Sequence, residues 1–135
     1  MPRRQAVIHM RFEDFLEHVA RRSGLQAHEA LPAIEAVLET LAERISGGEV
    51  DDLAARLPTA LHPPLRRGKA QSSRAARPLP LKEFLGRIAE REGVTLAEAK
   101  QHARAVLGMV REAVGHDEFA DVEAKLPQDY APVLA

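Results

Sequence analysis

The sequence predicts an all-α fold of two tandem three- to four-helix repeats, packed as a pseudo-two-fold helical bundle. The first observation is the period of the apolar residues. Phe12, Phe15 and Val19 begin a spacing of three and four that continues along most of the chain, as in amphipathic helices. The second is that glycines, prolines and apolar positions recur in one register 69 residues later. Such self-similarity is typical of a repeated structural unit.

Composition limits the class of protein. The 135 residues are 45% hydrophobic, 29% charged and only 4% aromatic, which predicts a globular chain with an aliphatic core. Cysteine is absent, which excludes disulfides, thiolate metal sites and cysteine nucleophiles. No apolar run approaches the roughly 20 residues that span a bilayer. The apolar run within the N-terminal segment MPRRQAVIHM is too short for a secretory signal. We therefore expect a cytoplasmic location and no membrane partner.

The first copy contains three predicted helices and a final turn. Gly24 is the expected left-handed stop of the first helix, and Pro32 is acceptable only in or near the first turn of the second. Ser46-Gly47-Gly48 is predicted to end the second helix. The predicted elements are a helix from about Phe12 to Arg22, a long helix from His28 or Glu29 to Ile45, a short helix from Glu49 to Leu57, and a turn from Pro58 that ends at His62-Pro63-Pro64.

The second copy follows the same plan. Thr95 and Glu98 have the spacing of a capping box, which predicts a helix start, and Gly115 is predicted to end that long helix. The copies match in Gly24 and Gly93. We therefore divide the chain into a leader (1–11), a first helical repeat (12–66), a basic flexible linker (67–80) and a second helical repeat (81–135).

The sequence resembles a known family. A phenylalanine-leucine helix, a glycine stop, a long Ala-Val-Leu helix and the segment GGEVDDLAARLP (47–58) are similar to the bacterial family catalogued as domain of unknown function 2267, whose members often carry two such repeats. The resemblance covers residues 12–66 and 81–135. It implies a fold and no activity, so no catalytic residues are carried over.

Each helix pair also has a weaker likeness to the dimerisation body of the histone-like HU proteins. There, too, a short helix and a glycine-containing turn precede a long helix. In HU the chain continues into strands and a basic arm that grips DNA. The continuation here, VDDLAARLP, is predicted to be helical and acidic, so the likeness implies a common scaffold only.

Reactive residues do not form a recognisable motif. Glu98 and His102 stand four residues apart on one helical face, but no second ligand pair accompanies them, and we interpret them as a surface charge pair. Glu35, Glu39 and Glu43 form a row that is typical of a solvated helix face. We therefore predict no catalytic, cofactor-binding or metal-binding residue, no cofactor and no enzymatic activity.

Charge is distributed unevenly, although the net charge is only −1. Both predicted repeats are acidic, whereas the leader and the linker carry bases without acids. The sequence predicts a non-enzymatic helical interaction or regulatory module, a monomer or homodimer, whose partner is another protein. The alternative is a nucleic-acid-associated protein that also uses Arg3 and Arg4. The candidate contact residues for a partner or a nucleic acid are Arg66, Arg67, Lys69, Arg74 and Arg77.

Overall fold

The structure, a computed structural model, describes residues 10–72 and 79–134. These residues form eight α-helices and two short 3-10 turns, with no strand among them, so the all-α prediction is confirmed. The helices are α1 (Phe12–Ser23), α2 (Ala27–Arg44), α3 (Gly47–Arg56), α4 (His62–Ser72), α5 (Leu81–Glu92), α6 (Leu96–Val114), α7 (His116–Ala124) and α8 (Ala131–Leu134). The 3-10 turns are Thr59–Leu61 and Gln128–Tyr130.

The core lies around the two long helices, α2 and α6, which pack against each other. The short helix α1 contacts both of them, and so does α5. The apolar stripe predicted for α2 faces this core, since Ile34, Val37, Leu38 and Leu41 are fully buried. Burial of one stripe per helix removes aliphatic surface from water and is the main favourable contribution to folding.

Helix ends follow the local chemistry of the sequence. Gly24 and Gly93 have φ of +73° and +78° and end α1 and α5, in the left-handed conformation that glycine adopts without a Cβ clash. The Thr95 hydroxyl accepts from the Glu98 amide at 3.1 Å, and the Glu98 carboxylate accepts from the Thr95 amide at 3.0 Å. These predicted stops and the capping box are confirmed.

The role predicted for the glycine pair Gly47-Gly48 is wrong. Helix α2 already ends at Arg44, and Ser46 accepts a hydrogen bond from the Glu49 amide at 3.3 Å as the N-cap of α3. Gly47 and Gly48 therefore form the first turn of α3 rather than an exit from α2. An N-cap serine satisfies an amide that the helix start leaves free, and this decides the boundary.

The prediction that the chain leaves helical structure at His62-Pro63-Pro64 is also wrong. Helix α4 begins there and continues to Ser72, so residues 67–72 of the predicted flexible linker are helical. Prolines in a first turn lose no helical hydrogen bond. The helix forms because Leu65 and Gly68 are buried on α2. A Cβ at Gly68 would lie 2.1 Å from the Glu39 carbonyl oxygen, so the two helices meet at backbone distance.

The two halves of the chain contain the same elements in the same order. Helix α5 begins and ends 69 residues after α1, and the second 3-10 turn lies 69 residues after the first. Contacts across the halves are reciprocal, with α1 on α6 and α5 on α2. Reciprocal contacts are expected of a two-fold-related pair and support the predicted repeat. Duplication and a pseudo-two-fold axis stay predictions.

Membrane insertion through a helix has no support in the part of the chain that the structure describes. None of its helices combines the length and the apolar character that a bilayer crossing requires. The cytoplasmic location stays a prediction.

Candidate functional site

Two of the five cations predicted as partner contacts are bound to acids of their own half. Arg67 Nε lies 3.1 Å from Glu39 Oε1, and Lys69 Nζ lies 2.9 Å from Asp51 Oδ1. Both contacts tie α4 to its neighbours, α2 and α3. Their charge is therefore largely compensated locally.

Arg66 is the member of this set that stays uncompensated. It is exposed and makes no ion pair with an acid of residues 10–72 or 79–134. It borders a cavity of about 310 Å³ between α3 and α4, which Asp51 and Lys69 also line. The remaining predicted cations lie outside the described residues: Arg74, Arg77, Arg3 and Arg4.

A buried carboxylate connects the two halves. Glu43 on α2 is only 2% exposed. Arg87 Nη1 donates to Glu43 Oε1 at 2.7 Å, and Arg91 donates to the other oxygen. The prediction that Glu35, Glu39 and Glu43 form a solvated row is thus wrong for Glu43, because α5 packs over that face of α2. Burial of a carboxylate is costly unless cations pair with it and hydrogen-bond to it.

Arg91 extends this contact into a network of three helices. Its Nη1 donates to Thr40 Oγ1 at 2.7 Å, and its Nη2 donates to Gln71 Oε1 at 2.8 Å. Gln71 in turn donates to Glu39 Oε2 at 2.8 Å. The network joins α5, α2 and α4, and its side chains hydrogen-bond to one another. It holds the three helices together.

An equivalent ion pair occurs on the other side of the bundle, with a different environment. Arg22 on α1 donates to Glu112 on α6, and these residues are related by 69 positions to Arg91 and Glu43. The side chains of Arg22 and Glu112 are 39% and 50% exposed, against 23% and 3% for Arg91 and Glu43. One pair is therefore sealed within the bundle and the other is open to solvent.

His102 and Glu98 do not form the predicted surface charge pair. His102 is 4% exposed, and its Nδ1 lies 2.7 Å from Glu92 Oε2 on α5. Glu98 instead contacts Thr95, whose backbone amide and hydroxyl lower the pKa of the carboxyl. The prediction is wrong because α5 lies on the face of α6 that His102 occupies. The His102–Glu92 contact joins α5 to α6.

A basic basin lies between α1 and α6. Its volume is about 580 Å³. Among the described residues, three cations and an amide provide its polar lining, and no carboxylate lines it. Lys100 and Arg104 are exposed and form no ion pair with any acid in the described ranges. Such a basin can hold an anion by charge and by N–H donation. The lining residues are Arg22, Ala97, Lys100, Gln101, Arg104 and Ala105.

Sequence reasoning missed this basin because it compared the two halves of the chain for shared residues and not for differences in charge. Lys100 and Arg104 correspond to Leu31 and Glu35 in the first copy. The spacing of four places the two cations on one face of α6. Divergence in charge at matched positions was the available signal, although the contribution of α1 could come only from the tertiary structure.

The fold and the basin define a class of protein: an all-α helical bundle in which the buried Glu43 and His102 are paired with charged groups of other helices and a basic basin is open. The chain belongs to the uncharacterized conserved protein family DUF2267, whose family model matches residues 12–133. A comparison with curated proteins found no match. The resemblance to this family is confirmed; its bacterial origin and the likeness to HU stay predictions.

Proposed function

We propose that this protein is a non-enzymatic interaction module that holds an anionic group of a protein partner in the basic basin. The observation that carries this proposal is the lining of the basin, to which residues 10–72 and 79–134 contribute three cations and no carboxylate. The partner supplies the compensating charge that the chain itself does not supply to Lys100 and Arg104.

The pairing of the buried polar groups with neighbouring helices supports a binding role over catalysis. Glu43 is held by two guanidinium groups, and His102 is held by Glu92. General acid–base catalysis needs a titratable group that can reach a substrate proton. In the described residues, these buried candidates face neighbouring helices instead.

The close spacing of two cations on α6 also supports anion binding in the open basin. Lys100 and Arg104 lie about one helical turn apart, or roughly 6 Å along the axis. Arg22 adds a third cation from α1. Concentrated positive charge on an otherwise acidic surface attracts anions and orients them during encounter.

The alternative, a nucleic-acid-associated protein that uses the linker and leader, has less support. Arg67 and Lys69 are bound to Glu39 and Asp51, so contact with phosphates would have to replace those acids. The oligomeric state, monomer or homodimer, stays a prediction.

Fluorescence anisotropy tests the proposal with two labelled probes, a twelve-residue polyglutamate peptide and a single-stranded DNA of similar charge. The measurement uses about 50 mM salt, where surface charge is weakly screened. The basin variant Lys100→Glu/Arg104→Glu is compared with the control Lys82→Glu/Lys125→Glu, which changes charge equally at exposed positions elsewhere. We expect the basin variant to weaken peptide binding by roughly tenfold or more and the control to change it by less than about threefold.

Three results would count against the proposal. If both double variants lose binding equally, the protein attracts anions only through its net charge. If neither probe binds the native chain, the basin is not an anion site. If DNA binds and the binding disappears in Arg66→Ser/Arg67→Ser but survives in the basin variant, the nucleic-acid alternative is correct.

A further inference from the structure

Building on the proposed function, we propose that the basin is selective for a phosphate monoester, with Glu112 as its built-in competitor. In the free protein, Glu112 occupies the guanidinium of Arg22. On binding, the phosphate takes its place and Glu112 is released to solvent. The two homologous ion pairs of the bundle would then have separate tasks, one structural and one in ligand binding.

Most N–H donors of the Arg22 guanidinium have no hydrogen-bond partner among the described residues. Arg91, its counterpart, also donates to Thr40 and Gln71. Arg22 has Glu112 as its one hydrogen-bond partner among the described residues. The α6 residue that corresponds to Thr40 is Met109, which has no hydroxyl to offer. A guanidinium has five N–H donors, so Arg22 retains several for a ligand.

Gly108 brings the guanidinium of Arg22 onto α6. A Cβ at this position would lie 2.7 Å from Arg22 Nη1. The glycine therefore lets the cation lie directly against the helix, on the side that carries Lys100 and Arg104. In the first copy the corresponding residue is Glu39, and that position is part of the sealed network.

The charge of the basin fits a phosphate better than a single carboxylate. A phosphate monoester carries about −1.5 to −2 charges and three strong acceptor oxygens, whereas a carboxylate carries one charge and two oxygens. Arginine binds such tetrahedral oxyanions through two parallel N–H bonds. Two arginines and a lysine around a volume of about 580 Å³ can satisfy all three oxygens.

An acid beside the basin disfavours an extended nucleic acid. Glu112 is exposed on α6, eight residues after Arg104. A chain of phosphates that continued along the helix in this direction would meet its carboxylate and be repelled. A compact group is therefore the better ligand. It belongs to a phosphorylated segment of the protein partner. A small phosphate compound presents the same chemistry and is separated by the test.

Chemical-shift titration of the full chain tests this inference. The probes are a five-residue peptide with a central phosphoserine, the same peptide with serine or glutamate at that position, and inorganic phosphate. We expect the phosphopeptide to shift amides near residues 97–105 and to bind roughly tenfold more tightly than the glutamate peptide. The serine peptide is expected not to bind. Inorganic phosphate that binds more weakly than the phosphopeptide supports a phosphorylated protein segment as the ligand. Inorganic phosphate that binds as tightly identifies a small phosphate compound and overturns the protein partner.

The role of Glu112 has its own variants. Glu112→Gln removes the competitor, so phosphopeptide affinity should rise about two- to fivefold, as expected for loss of an exposed ion pair. Glu90→Gln, at an exposed acid outside the basin, is the control and should change affinity less. Arg22→Gln and Lys100→Gln/Arg104→Gln should each lose most of the affinity.

The failures of the two proposals are distinguishable. Equal affinity for the glutamate peptide and the phosphopeptide overturns phosphate selectivity but leaves the anion-binding function intact. Unchanged or weaker binding by Glu112→Gln overturns the competitor role. If no anionic probe shifts residues 97–105, the proposed function itself is wrong.

Discussion

The guanidinium of Arg91 on α5 is bonded to the buried carboxylate of Glu43 on α2. The contact joins two helices from opposite halves of the chain. In the corresponding pair, Arg22 and Glu112, the arginine lies on α1 of the first half and the carboxylate on α6 of the second half. The first pair is sealed within the bundle and the second is open, and this difference separates a structural role from a proposed binding role.

The sealed pair should contribute strongly to stability. Glu43→Ala leaves the partly buried Arg87 and Arg91 without their buried partner and should lower the free energy of unfolding by roughly 2–5 kcal/mol. Glu112→Ala, at the exposed counterpart, should cost less than about 1 kcal/mol. Urea denaturation followed by helical circular dichroism measures both. Equal effects of the two substitutions would contradict the assignment.

The contact between α4 and α2 depends on the missing side chain of Gly68. Gly68→Ala places a Cβ against the Glu39 carbonyl and Ala42, and should destabilise the protein by about 1–3 kcal/mol, as expected of overpacking. Gly86→Ala is the matched control. That glycine lies inside α5, and a Cβ added to it would meet no atom within 4 Å, so alanine should stabilise by roughly 0.4–1 kcal/mol. Thermal unfolding should show opposite signs; a stabilising Gly68→Ala would refute the close helix contact.

Tyr130 should make stability depend on alkaline pH. Its hydroxyl donates to the Leu79 carbonyl at 2.6 Å, and its ring packs on Phe84 with centroids 5.0 Å apart. Burial raises the pKa of Tyr130 well above its usual value of 10.0. A pKa that is higher in the folded state than in the unfolded state stabilises the folded protein. This contribution is complete at pH values below the unfolded pKa and is lost as the pH rises above it.

Tyr130→Phe isolates this contribution. At pH 8 the substitution should cost about 1–2 kcal/mol through loss of the hydrogen bond. Between pH 9 and about 11 the advantage of the native chain should shrink, because tyrosine then ionises in the unfolded state. Denaturant unfolding of both proteins across this range measures the difference. An advantage that stays constant would mean that burial does not hold the hydroxyl neutral.

The capping box of α6 should make stability depend on acidic pH. Hydrogen bonds from Thr95 lower the pKa of Glu98 below its usual value of 4.5. A lowered folded-state pKa gives a contribution that is present above the unfolded pKa and is lost as the pH falls through the folded value. Glu98→Gln should therefore be less stable than the native chain at pH 7, and the two should converge at about pH 3. Melting temperatures at both pH values test this, and an unchanged difference would contradict it.

Local chemistry made much of the fold predictable. The start of α6 follows from Thr95 and Glu98, and the ends of α1 and α5 follow from Gly24 and Gly93. These features involve residues at most a few positions apart, so the sequence contains all their determinants. The apolar stripe of α2 was equally visible, since helical periodicity is local as well.

The predictions that were wrong share a different cause, which is contact between helices distant in sequence. Helix α4 was missed because Gly68 is unfavourable in a free helix, and its value appears only against α2. Burial of Glu43 depends on α5, which lies more than 35 residues away along the chain. The pairing of His102 with Glu92 likewise required the position of α5 on α6.

The sequence alone determined the ends of α1 and α5, the capping box of α6, the aliphatic stripe of α2 and the spacing of Lys100 and Arg104, because each depends on neighbours within a few turns. The tertiary structure decided which charges are sealed and which are open. It neutralised Arg67 and Lys69, buried Glu43 and brought Arg22 beside α6. Desolvation and charge pairing act between helices that are distant in sequence, so only the packed bundle determines which positive charges stay unpaired and exposed.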